Sequence, residues 1–199
     1  MPPSADWPRI AAAPDEYRRV RLSGRFMHER ETLVQSLSEL GSGYWVLTPL
    51  ELADGRIVLV NRGFVPPERR ERTSRMAGEP QGEVSLVGLL RMAEPGGGFL
   101  RRNDAAADRW YSRDVAAIAA ARGLPADKVA PFFIDAGKDA QGAASDQPVG
   151  GLTVISFRNH HLVYALTWFA LALLVAGASW RVWLEEKRMR LQGRAQQAD

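Results

Sequence analysis

Gly43 to Leu52 (GYWVLTPLEL) and Arg56 to Val65 (RIVLVNRGFV) are two β-rich runs separated by Ala53-Asp54-Gly55. Their spacing and the glycine-containing connection predict a β-hairpin. Upstream, Tyr17 to Phe26 (YRRVRLSGRF) sets Val20 and Leu22 between charged neighbours, the two-residue period of a half-buried strand, and Glu31 to Leu37 predicts a second strand. Downstream, Glu83 to Arg91 (EVSLVGLLR) repeats the V-x-L-x-G pattern of Val20 to Gly24, an echo expected of paired halves of a barrel. Asp114 to Gly123 (DVAAIAAARG) predicts a helix capped by Asp114 and ended by Gly123. Pro131 to Ala136 (PFFIDA) and Leu152 to Phe157 predict two further strands. The expected class is α+β: an antiparallel, β-rich, barrel-like domain with an inserted helix.

The 199 residues suffice for one such domain and a membrane span. The formal charge of +3 rests on arginine, because Lys128, Lys138 and Lys187 are the only lysines. That bias by itself does not point to a nucleic-acid partner. The absence of cysteine excludes disulfides, thiolate metal sites and a cysteine nucleophile within this sequence. His28, His160 and His161 are too few to close a zinc site alone.

Leu162 to Trp180 (LVYALTWFALALLVAGASW) has no charged residue. As a helix it covers roughly 28 Å, about the hydrocarbon thickness of a bilayer. Tyr164 and Trp168 at one end and Trp180 and Trp183 at the other suit the two interfaces. Arg181, Lys187, Arg188, Arg190 and Arg194 follow the span, whereas Arg158 alone closely precedes it. The positive-inside rule then predicts a cytoplasmic C-terminus. Residues 1–157 become an extracytoplasmic, periplasmic domain, 158–184 the span with its flanks, and 185–199 a cytoplasmic basic tail in a bacterial inner membrane. Because Met1 to Ala13 holds no apolar run to direct export, an additional membrane helix upstream of this sequence is expected.

Pro66 to Pro80 (PPERRERTSRMAGEP) reads as an exposed charged loop, solvated first, a contact for anionic lipid headgroups second, and a nucleic-acid contact a distant third given the topology. Gly137 to Gly151 reads as a polar, glycine-rich loop. No G-x-S-x-G, H-E-x-x-H, Walker-type or dinucleotide-type motif occurs, so the expectation is a protein that is not an enzyme. Asn61-Arg62-Gly63 reads structurally: Arg62 pairs with a carboxylate or caps carbonyls, and Gly63 serves a close approach or a strand bulge. Trp110, Tyr111 and Arg113 fit either a binding face or aromatic core packing. His160 and His161 stand at the outer end of the membrane helix, where imidazole serves as an interface anchor or as an axial ligand of haem iron. Tyr164, Ala165 and Trp168 follow His161 at i+3, i+4 and i+7, on one helical face.

Five runs carry a resemblance: GYWVLTPL (43–50), VLVNRGFVP (58–66), RNDAAADRWYSRDVAAIA (102–119), PFFIDA (131–136) and GGLTVISFRNHHLVYALTWFALA (150–172). Collinear and ending in a membrane helix, they resemble the Surfeit locus protein 1 family of cytochrome c oxidase assembly factors. The resemblance implies two membrane helices flanking an extracytoplasmic domain, and a role in maturing oxidase subunit I by helping haem a delivery or insertion. It implies subunit I, haem A synthase and membrane lipid as partners, and haem a as transient cargo. The family's N-N-H-L-x-Y segment aligns its histidine with His161, its first asparagine with Asn159 and its tyrosine with Tyr164. His160 stands where asparagine is usual, and Phe64 stands where the family has tryptophan. The implied haem contacts are therefore His161, Tyr164, Trp168 and, by substitution, His160. The alternative is a membrane-anchored scaffold for oxidase subunits that does not bind haem.

Overall fold

A computed structural model describes residues 6–10, 16–98, 100–138, 147–152 and 161–196. The chain divides into two compact units, Met1–Ile155 and Ser156–Asp199.

Among the described residues the first unit has eight strands: β1 (Arg19–Phe26), β2 (Thr32–Ser38), β3 (Gly41–Leu52), β4 (Ile57–Val65), β5 (Glu83–Met92), β6 (Gly97–Gly98), β7 (Arg101–Arg102) and β8 (Val129–Ala136). Two short helices accompany them, α1 (Trp7–Ile10) and α2 (Val115–Ala121). The main sheet runs β1-β5-β8-β4-β3-β2, and a further β1–β3 pairing closes five of these strands into a barrel with β2 as an appendage. A closed sheet leaves few free edges. The expected hairpin is β3–β4, with Gly55 at φ +77° in its turn and Leu52 N–H bonded to the Arg56 carbonyl at 2.8 Å. One seam departs from the antiparallel expectation, because β8 lies parallel to β4. Its reason is the long β5-to-β8 connection, which carries α2 and brings the chain back in the same direction as β4.

β4 decides how the core is divided. All nine of its residues are buried. Val58 and Val60 face the barrel interior, where Leu22, Leu50, Leu90 and Phe132 meet them. Ile57 and Leu59 face a second core with Val34, Trp110, Ile118 and Phe133. Strand alternation thus puts one hydrophobic set on each side, as expected of a strand covered on both faces. Asp114 caps α2 as expected, its carboxylate accepting from Ala117 N–H at 3.1 Å, and Gly123 follows the helix at φ +64°.

The V-x-L-x-G echo marks strands β1 and β5, which pair antiparallel with Val20 opposite Gly88, Leu22 opposite Leu86 and Gly24 opposite Val84. The two glycines sit in equivalent places. A Cβ on Gly24 would stand 2.2 Å from the Glu51 carbonyl oxygen, and one on Gly88 would stand 2.4 Å from that of Asp135. Each glycine therefore lets the adjoining strand approach closely.

One sequence expectation changes, and another falls mostly outside the described residues. Pro66 to Pro80 is not a freely solvated loop: it forms three short 3-10 turns, and Arg75 and Glu79 within it are buried. Leu152 is outside any strand, and residues 153–157 of the expected last strand lie outside the described residues.

Gly24→Ala and Gly88→Ala should each destabilise the domain by about 2–4 kcal/mol, because backbone rather than a flexible side chain must yield. Gly177→Ala, with open space around its Cβ, should leave stability nearly unchanged. Urea unfolding of the detergent-solubilised protein measures all three.

Candidate functional site

The second unit is one helix, α3 (His161–Gln196). Its segment Tyr164–Arg188 has mean hydropathy 1.5 and none of its window is buried within the chain, so it is long and apolar enough to cross a membrane. Tyr164 and Trp168 are 65% and 70% exposed, leaving an aromatic face with no intramolecular cover among the described residues. His161 opens the helix on the same face by position, while Asn159 and His160 lie outside the described residues. At the other end the Trp180 and Trp183 rings lie 5.2 Å apart, and Lys187 Nζ stands 5.1 Å from the Trp183 ring. That arrangement suits an interface where a lysine reaches toward water across an aromatic girdle.

In the first unit, Asn61-Arg62-Gly63 organises two charged clusters on opposite sides of β4. The motif is a bulge: Trp45 opposes Phe64 and Leu47 opposes Asn61, so β4 carries one extra residue there. Gly63 adopts φ +131°, and a Cβ on it would meet the Val149 carbonyl oxygen at 2.3 Å. The Val149 segment pairs with Phe64 through two backbone hydrogen bonds. The sequence reading of Gly63 holds on both counts.

Arg62 is 1% exposed and sits at one end of the barrel, its guanidinium 5.4 Å from the Phe26 ring. Its Nη2 donates to Gln147 Oε1 and its Nη1 lies 3.3 Å from His28 Nδ1. Burial lowers its pKa to about 10, against the opposing pull of Glu31 and Glu79. The 3-10 segment fixes both carboxylates: Arg72 holds Glu79 through two hydrogen bonds of 2.7 and 2.8 Å, and Arg75 holds Glu31, which precedes β2, at 2.7 and 3.3 Å. A buried guanidinium needs such compensation to remain charged. Burial would raise the Glu79 carboxyl, but Arg72, His28 and Arg62 together bring it below its ordinary value.

His28 fills the gap between these groups. Its Nε2 lies 3.0 Å from the Pro80 carbonyl, which only accepts, and its Nδ1 faces Arg62, which only donates. Neutral imidazole with the proton on Nε2 satisfies both. A second proton on Nδ1 would point at the guanidinium, and the Pro80 carbonyl and Glu79, 3.9 Å away, favour the charged ring without outweighing burial. Burial first, and Arg62 with it, accordingly lower the His28 pKa.

On the other side of β4, Asp135 is 3% exposed. It accepts from Asn61 Nδ2 at 2.8 Å and Arg91 Nη1 at 3.1 Å, with Arg113 Nη1 at 3.7 Å. Arg113 also forms a two-pronged pair with Glu94 and stacks 4.8 Å from the Phe133 ring. The three sequence-selected residues here therefore divide. Trp110 is core, its Nε1 bonded to Asp108 at 2.7 Å; Arg113 holds the sheet; Tyr111 lies beneath Arg101 at 5.4 Å. They do not form one binding face. Glu31, Arg75, Glu79 and Asp135 escaped the sequence reading, which weighed His28 only as a zinc ligand. The lone carboxylate in PFFIDA was the available signal, because a charge inside an apolar strand requires a partner.

A polar cleft of about 260 Å³ beside these clusters is lined by Glu31, Leu33, Tyr44, Arg72, Trp110 and Arg122. Arg72 and Arg122 are already paired there, with Glu79 and Asp108. Among the described residues no group of three or more histidine or carboxylate side chains is placed to hold a metal ion.

Because the folded-state pKa of His28 lies below that of the unfolded chain, the unfolded state takes up its proton first on acidification. The associated stability is complete above about pH 6.5 and is lost as pH falls toward the folded value, with a slope of up to about 1.4 kcal/mol per pH unit. His28→Gln should flatten the stability profile across this range, well above the pH where Glu79 titrates. Urea midpoints measured from pH 7.5 to 5 test it.

Comparison with known proteins adds the family. The model described as the SURF1 family matches residues 1–173. Surfeit locus protein 1 of Mus musculus is 38% identical over 172 residues, covering 78% of this chain and 54% of that protein. The Homo sapiens protein of the same name is 35% identical over 174 residues, covering 79% and 56%. A SURF1-like protein of Drosophila melanogaster is 38% identical over 175 residues, with the same coverage. The chain spans about half the length of these curated relatives. By the extent of these matches, which take in the barrel, the N-R-G bulge and the first part of α3, this chain belongs to the SURF1 family.

Proposed function

We propose that this chain is a membrane-anchored, non-enzymatic assembly factor for haem-copper cytochrome c oxidase, and that it handles haem a as cargo on its way to subunit I. The observation that carries the haem reading is the uncovered aromatic face of α3, where Tyr164 and Trp168 follow His161 on a helix apolar enough to lie in a bilayer. Haem a is planar and largely apolar, and its iron accepts a neutral imidazole as axial ligand. His161 would hold the iron, the Tyr164 and Trp168 rings would lie against the macrocycle, and the bilayer would exclude water from both. On this reading the barrel is periplasmic in a bacterial inner membrane and the basic end of α3 is cytoplasmic, an orientation that the arginine asymmetry supports. Haem A synthase is then the source of the cargo and subunit I its destination.

A scaffold that holds subunit I without haem is the second reading, and it too has an observation in its favour. Ala172 and Ala176 form an exposed small-xxx-small pair suited to close packing against another membrane helix.

Co-expression with haem a synthesis separates the two. His161→Ala should lower bound haem, read by pyridine haemochrome, by on the order of 10-fold while membrane insertion persists. His160→Ala should have the smaller effect. Undiminished haem in the His161→Ala protein would reject His161 as the ligand, whereas no haem on the unsubstituted protein would reject the haem role and leave the scaffold, for which Ala172→Leu with Ala176→Leu should weaken crosslinking to subunit I.

A further inference from the structure

Most apolar side chains of the first unit are buried, but two neighbouring hairpins end on leucines that are not. Leu37 and Leu40, at the β2–β3 end, are 81% and 54% exposed, and Leu100, at the β6–β7 end, is 89% exposed. The ends lie side by side: Arg101 Nη1 donates to Gln35 Oε1 at 3.2 Å, and Leu37 and Arg101 line the same groove of about 400 Å³. Leu100 also holds φ +57°, a left-handed conformation that a leucine adopts at a cost and a glycine would not. Neither folding energy nor turn geometry accounts for a fully exposed leucine at that position. Arg101 and Arg102 stand at its base, both exposed. Among the described residues neither has a carboxylate within ion-pair distance, whereas Arg56, Arg72, Arg91, Arg109, Arg113 and Arg122 all do.

We propose that this pair of hairpin ends docks on an anionic phospholipid surface, with Leu37 and Leu100 entering the headgroup-acyl boundary and Arg101 and Arg102 meeting lipid phosphates. The chemistry favours a bilayer over a protein partner because Leu40 and Leu100 stand on the turns of their hairpins, and because Arg101 and Arg102 beside Leu100 outnumber Glu39, the acidic side chain at the β2–β3 turn. The inference rests on the reading that α3 spans a bilayer, which brings a membrane surface within the domain's reach. It would fix the barrel against that surface and limit the orientations in which it meets a partner.

The sequence contains no cysteine, so single-cysteine labelling is clean. The whole chain is reconstituted into phosphatidylcholine vesicles with and without phosphatidylglycerol. An environment-sensitive fluorophore is placed through Leu37→Cys, Leu100→Cys or, as control across the barrel on β5, Val87→Cys. Labels at 37 and 100 should shift to the blue and resist a water-borne quencher when phosphatidylglycerol is present, while the label at 87 stays quenched. Arg101→Gln with Arg102→Gln should abolish the response to phosphatidylglycerol. Equal quenching at all three positions overturns the proposal, and so does protection at 37 and 100 that persists in detergent micelles, which would signal a protein contact. Carbonate extraction of the same vesicles separates failures: a chain released by carbonate refutes the span, whereas a retained chain with all labels in water refutes only the docking surface.

Discussion

Strand β4 is buried along its whole length, yet it carries an asparagine and an arginine. That constraint organises the first unit. Because side chains alternate, Val58 and Val60 hold the barrel interior, while Ile57 and Leu59 hold the layer beneath α2. The polar residues inherit the same alternation, so Arg62 emerges at the barrel end and Asn61 on the side of Asp135. Each brings a desolvation cost that the rest of the chain must offset. The 3-10 segment after β4 is ordered by that requirement, folding back so that Glu79 and Glu31, held by Arg72 and Arg75, surround Arg62.

The two clusters share a logic. In each, a buried charge is approached by several partners drawn from separate parts of the chain, so none can move without leaving another uncompensated. Asp135 joins β8 to β4, to β5 through Arg91 and to the 94–113 connection through Arg113. His28 joins the β1–β2 connection to Arg62 and Pro80. Such networks favour a rigid platform. The barrel's most buried charges are committed to one another, which places the prospects for binding on surfaces left uncommitted: the aromatic face of α3 and the leucine-tipped hairpins.

A rigid domain tied to a bilayer helix suits the proposed task. Haem a is poorly soluble and reactive in water, so a carrier that keeps it at the membrane edge does not need an enclosed pocket. A helix face beginning with an imidazole and continuing with aromatic rings offers ligation and cover. The barrel, tethered to the same chain, offers a surface on which a partner subunit can be oriented.

Much of this was legible in the chain. The β3–β4 hairpin followed from two β-rich runs around a glycine turn, α2 from its Asp114 cap, and the span from nineteen residues without charge. These are local signals, set by backbone preference and by the apolar demands of a bilayer. The N-R-G bulge was also foreseeable, because glycine after a polar pair in a strand marks a departure from regular pairing. Other features were beyond the sequence. Arg75 and Glu31 lie 44 residues apart, as do Arg91 and Asp135, while Asn61 and Asp135 are separated by 74. No local pattern reports that they meet, so Pro66 to Pro80 read as a solvated loop and Trp110, Tyr111 and Arg113 as one possible face. The parallel β4–β8 seam likewise depends on where a long connection returns. The sequence by itself determined the elements and the long apolar helix, because short-range sterics and hydrophobicity act within a few residues. Tertiary structure alone decided which charges became buried and paired, because desolvation is set by the company that distant segments bring.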